Sequence, residues 1–160
     1  MPYDEFLEAL KDRHWVVTSR SFAYRDLEGG WQVVFDRMGG KFQVPGKVSF
    51  VVCVRHACLR DVEGERNAVE KNPFSCPFKF ALQAIESGSL EYRGTLEQFD
   101  HSQLEASGGW DRVLEALDVT IPKWLSSQTH QTLRQQIKER REDAYIERLW
   151  LEDLDSAVSA

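Results

Sequence analysis

Residues 47–54 read KVSFVVCV, and their alternation decides the fold. Val48, Phe50, Val52 and Val54 fall on one side of an extended chain, and Ser49, Val51 and Cys53 on the other, which is the period of two of a β-strand. No other strand candidate is so apolar, which predicts a central position in a sheet. Upstream, SRSFAYRD puts Phe22 and Tyr24 on one side, LEGG supplies a turn, and WQVVFDR puts Trp31, Val33 and Phe35 on one side. Two alternating runs around a glycine turn predict a β-hairpin. GGKFQVPGK then leads into 47–54 through paired glycines and a Pro-Gly turn signal.

The flanks of these strands have helical spacing. Residues 3–13 place Phe6, Leu7 and Leu10 on one face, with Pro2 at the start and Asp4 and Glu5 in the first turn, where acids suit the helix dipole. Residues 60–71 are polar and without period, which predicts an exposed loop. In CPFKFALQAI, Phe78 and Phe80 alternate as in a strand, and SGSLEYR reads as a turn and a further strand. WDRVLEAL sets Trp110, Val113, Leu114 and Leu117 at i, i+3, i+4 and i+7, the strongest helical period in the chain. In TIPKWLSSQ, Thr120 is the expected cap of a short helix that buries Trp124 and Leu125. Residues 129–157 hold neither Gly nor Pro and predict one long helix, whose apolar stripe is interrupted by KERRED. A helix, a run of antiparallel strands and then helices make an α+β class, with a single antiparallel sheet carrying the N-terminal helix and the C-terminal helices on one face. The 160 residues suit one domain, 1–160.

Charge narrows the partners. Residues 61–130 carry six bases against twelve acids, a net of −6, whereas residues 1–60 are at +2 and residues 131–160 at −2. Nucleic acid, whose phosphates need a basic surface, is disfavoured, and a basic protein partner is favoured. The N-terminus mixes acids and bases from Asp4 onward, and no window resembles a membrane span, so the expectation is a cytoplasmic protein with no membrane partner. Three cysteines without an export signal predict thiols rather than a disulfide framework.

Several groups carry chemistry worth testing. Cys53, His56, Cys58 and Cys76 are zinc-type ligands, but positions 53, 56 and 58 of one strand do not share a face, and Cys53 reads more simply as a core filler. Cys76, inside NPFSCPFKF, is a candidate nucleophile or redox thiol that needs a nearby imidazole or cation. No serine-nucleophile elbow, metalloprotease helix, phosphate loop or dinucleotide fingerprint is present, so the sequence assigns no catalytic residue, cofactor or metal. Glu86, Glu91, Glu97, Asp100 and Glu105 form an acidic run that suits either a basic partner or a solvated face. Arg134, Lys138, Arg140, Arg141 and Arg148 alternate with acids and are expected to pair locally along the last helix.

The order of the N-terminal helix, FAYRD, WQVVFDR, KVSFVVCV, CPFKF, GWDRVLEAL and IPKWL resembles a family of uncharacterised small bacterial domains, domain of unknown function 4304, over most of residues 3–138. That resemblance implies an α+β fold and no established activity, and it carries over no functional residue. Small acidic domains of such families suggest an immunity-type inhibitor, which binds and neutralises a bacterial toxin. Here the acidic middle segment and the polar face of the sheet would do the binding. The alternatives from other classes are a thiol-dependent enzyme or redox sensor using Cys76, and an assembly protein pairing through Ile146, Leu149, Trp150 and Leu154.

Overall fold

The computed structural model describes residues 1–37, 47–56, 78–80, 97–100, 109–139 and 144–159. Strands β1 (Val16–Val17), β2 (Phe22–Asp26), β3 (Trp31–Arg37), β4 (Lys47–His56), β5 (Phe78–Phe80) and β6 (Glu97–Asp100) form one six-stranded sheet. β1 to β4 are neighbours in chain order, and every pairing is antiparallel. The KVSFVVCV run is central as expected: β4 pairs with β3 along one edge and with both β5 and β6 along the other.

A turn of 3-10 helix, Glu28–Gly30, joins β2 to β3. Gly29 and Gly30 have φ of 76° and 84°, the left-handed region in which a side chain is strained. At Gly30 a Cβ would also stand 2.8 Å from His56 Nε2, which is itself 2.6 Å from the Gly29 carbonyl oxygen. The turn is therefore tied to the end of β4 by an imidazole that only glycine leaves room for.

Helix α1 (Tyr3–Asp12) buries Phe6, Leu7 and Leu10, as its spacing predicts. α2 (Gly109–Glu115), a π-helical segment (Ala116–Thr120) and α3 (Ile121–Ser127) follow one another without a break. α4 (His130–Glu139) and α5 (Ala144–Ser159) complete the described helices. All of them contribute to one core with Ala23, Val33, Phe35, Val48, Phe50, Val52, Val54 and Phe78, which occupy a single face of the sheet. The arrangement is the α+β class expected, with helices on one face. Trp110 is a hub of this core, its ring centroid 4.7 Å from that of Tyr3, 5.0 Å from Phe6 and 5.7 Å from Phe50.

Three expectations are corrected. The single helix over 129–157 is two helices: His130 and Arg134 of α4 meet Asp155 of α5 at 2.6 Å, whereas 25 residues of continuous helix would separate them by roughly 37 Å. The polar KERRED break in the apolar stripe is the physical reason, since each half then turns its own stripe to the core; residues 140–143 lie outside the described residues. Thr120 is not a cap but a helical residue ending the π-segment, without a side-chain cap bond. There the Ile121 N–H bonds the Ala116 carbonyl, five residues back, and the wider turn relieves the clash that Pro122 would make with the carbonyl four residues before it. Third, Trp150 and Leu154 lie in the main core and Leu149 is also buried, so the stripe considered for self-pairing is occupied within this chain. Phe22 and Tyr24 lie on one face and Val33 and Phe35 on the other, because Phe22 opposes Asp36 and Tyr24 opposes Val34. The side chain of Ile146 lies outside the described residues. Among the described residues, no helix is long and apolar enough to cross a membrane.

Candidate functional site

The far edge of the sheet departs most from a plain ladder. Phe80 of β5 opposes Val52 of β4, and Glu97 of β6 opposes Phe50. The pairing thus moves two residues along β4 while the chain moves seventeen, from 80 to 97, so fifteen residues are surplus to the ladder. β5 and β6 are two halves of one edge lane, held in register on either side of an insertion. Register is kept across it, with positions 78, 80, 97 and 99 opposite Val54, Val52, Phe50 and Val48 of β4.

The acidic run straddles this insertion. Between residues 81 and 105 the chain carries Glu86, Glu91, Glu97, Asp100 and Glu105 against Arg93 alone, a net of −4. Glu97 and Asp100 fall on β6, which the sequence reading had not identified as a strand. In the register Glu97 is across from Phe50 and Asp100 across from Lys47. Glu86, Glu91 and Glu105 lie outside the described residues, as do Cys58 and Cys76 and the expected loop over 60–71.

The sheet face turned away from the helices is not simply polar. Phe22, Val34 and Cys53 are buried there, with Tyr24 packed beside them. By register the same face also carries Asp26, Asp36 and Arg55. Asp26 accepts a hydrogen bond from Gln32 Nε2 at 2.7 Å. Asp36 stands in a row between Phe22 and Val51, and burial pushes its carboxyl up to about 6. Cys53, on this face, and His56, on the other, are separated as the parity argument expects. Among the described residues, no three His, Cys, Asp or Glu side chains are placed to hold a metal ion.

On the helix side, charged groups are taken up by the fold. Asp118, in the π-segment, accepts from Arg25 Nη1 of β2 at 2.6 Å and from Trp15 Nε1 at 3.4 Å, with Arg13 Nε 3.3 Å away. Three side chains, one from β2 and two from the connection between α1 and β1, thereby converge on one carboxylate, which ties the π-turn to the sheet. Arg37 lies over the rings of Tyr3 and Trp110, 4.2 and 5.5 Å from their centroids. Arg134 bonds Asp155 across the helix pair rather than pairing along its own helix, and with His130 it holds that carboxyl below the usual carboxylate range. A groove of about 360 Å³ between α1 and β1 is flanked by the pairs Lys11–Glu8 and Arg20–Asp4, whose charges already match. Compared with known proteins, the chain matches no family model, no curated protein and no solved structure, so a functional reading rests on the geometry of the interrupted edge.

Proposed function

We propose that the chain is a protein-binding domain of the immunity type, which neutralises a basic bacterial toxin through the acidic segment around its interrupted edge lane. One observation supports this most: fifteen residues are inserted into an edge strand whose register is kept on both sides, and the insertion and its exit are acidic. Binding residues concentrate in segments that a rigid scaffold positions without depending on them for its own pairing. A net of −4 over 81–105 would speed encounter with a basic partner and select against acidic ones, while desolvated anchors would supply most of the affinity. The family resemblance in element order points the same way and belongs to the same proposal.

Co-purification from the native host with mass spectrometry tests the reading. The expected partner is a basic protein, and Glu91→Lys with Asp100→Lys together weaken its capture and the growth protection it confers. Recovery of no basic partner, with growth protection intact in the double charge reversal, overturns it.

A further inference from the structure

We propose that the outer edge of β1 takes an extended, uncharged segment of a protein partner as an added strand, seated in the groove between α1 and β1. β1 ends the strand order of the sheet, at the far side from the β5 and β6 lane. This surface is therefore separate from the one proposed to bind a toxin, and either can fail alone. In β1, Val16 opposes Tyr24 and Val17 opposes Ala23, and the Thr18 N–H donates to the Phe22 carbonyl at 3.1 Å. Hydrogen-bonded pairs alternate along an antiparallel ladder, so 16 with 24 and 18 with 22 are the bonded pairs, and the N–H and C=O of Val17 turn away from β2. Among the described residues, these two groups meet no main-chain partner.

The edge is open at that residue and closed on either side of it. The Trp15 N–H is bonded to the Leu10 carbonyl at 3.0 Å, and the Ser19 N–H turns inward to the Phe22 carbonyl at 3.5 Å. An edge this short admits one segment without templating open-ended growth of the sheet. Leu7 of α1 and Val17 of β1 both line the groove of about 360 Å³, and its rim carries Asp4 with Arg20 and Glu8 with Lys11. Those four charged residues and Ser19 are exposed, so the groove opens to solvent.

Backbone, apolar surface and charge select the same occupant. A helix has its main-chain groups engaged internally, whereas an extended chain offers the N–H and C=O that a residue opposite Val17 must exchange. A side chain entering between Leu7 and Val17 meets aliphatic carbon. Val16, which alternates to the other side of the strand and is 44% exposed, is covered by the cross-strand neighbours of that residue. The rim charges are already paired at 2.6 and 2.7 Å and sum to zero, so they recruit neither a cationic nor an anionic segment. The segment that fits is therefore neutral and rich in β-branched residues, which favour the extended chain.

Amide hydrogen exchange and methyl NMR of the intact protein give the test, with acetyl-Thr-Val-Thr-Val-Thr-amide at millimolar concentration as the probe. A counterpart N-methylated at every residue keeps the side chains and loses the donors. The first peptide is expected to slow exchange of the Val17 amide at least about tenfold, because that hydrogen becomes bonded, and to shift the Leu7 and Val17 methyl resonances. The N-methylated peptide should do neither. Val17→Pro removes only the outward donor, at an edge position where proline is tolerated, and should abolish the Leu7 shifts. An unchanged Val17 exchange rate with the first peptide, or equal responses to the two peptides, overturns the assignment whether or not the proline variant folds.

Discussion

The two faces of this one sheet treat charge in opposite ways. On the helix side, Arg25 and Arg37 are absorbed, one by the Asp118 carboxylate and the other by the Tyr3 and Trp110 rings. On the other side, Asp36 is half-buried and makes neither a hydrogen bond nor an ion pair among the described residues, and the far edge lane is interrupted by fifteen residues. Among the described residues, the helix-covered face settles its charges internally, whereas Asp36 on the other face does not, and the proposed function places the partner at the interrupted edge.

That contrast is broken most severely from the core. Phe6 is fully buried and packs edge-on to Phe35 with centroids 5.3 Å apart, so Phe6→Ala should cost about 3–5 kcal/mol in urea unfolding. A loss under 1 kcal/mol would mean that α1 is not part of the cooperative unit. Next, Asp118→Asn should cost about 1–3 kcal/mol, because Arg25 and Arg13 lose the one carboxylate on which they converge. A double-mutant cycle with Arg25→Met measures the coupling, and additivity would show that the π-turn does not depend on that pair.

Asp36→Asn should act in the opposite direction, and more weakly. The folded carboxyl titrates at about 6, above its ordinary value of 3.8, so the folded state holds the proton more tightly than the unfolded one. Stability contributed by that proton is present below about 3.8 and is lost as pH rises through 6. After discounting for partial exposure, Asn should therefore stabilise the protein by about 1 kcal/mol at pH 8. The gain should vanish below pH 4. A stability difference between Asp36→Asn and the parent that is the same at pH 8 and at pH 4 would show that Asp36 is solvated.

Much of the fold was legible in the sequence. KVSFVVCV and WDRVLEAL carry periods of 2 and 3.6 strong enough to fix a central strand and a core helix, and every apolar residue of WDRVLEAL is buried. What escaped was set by partners. β1 is two residues long and β6 four, too short for period to register, and each exists because a neighbour supplies hydrogen bonds. Phe22 and Tyr24 alternate correctly but belong to the face turned away from the described helices, since alternation fixes parity and not which face meets them. The break in the last helical segment was visible as KERRED, yet only tertiary contacts such as Arg134 with Asp155 distinguish a folded-back pair from an exposed waist.

The site was legible only in composition. Glu97 and Asp100 were named, but no local pattern foretells that they sit on one edge lane after a fifteen-residue insertion. Asp36 was missed altogether, because within WQVVFDR it reads as the polar half of an alternating strand. An acid that directly follows the apolar run of residues 33–35, at the end of a strand preceding a central strand, is the signal that could have marked it.

The most direct measurement is made on a variant lacking residues 82–96, which joins Ala81 to Glu97 and makes β5 and β6 one continuous strand in register. Such a variant should unfold cooperatively with a thermal midpoint within about 4 °C of the full chain, the shift that about 1 kcal/mol produces. It should also bind the co-purified basic partner at least about tenfold more weakly, a loss of about 1.4 kcal/mol. A variant that fails to fold contradicts the interrupted-lane register, and one that folds and binds the partner with undiminished affinity contradicts the role assigned to the acidic insertion.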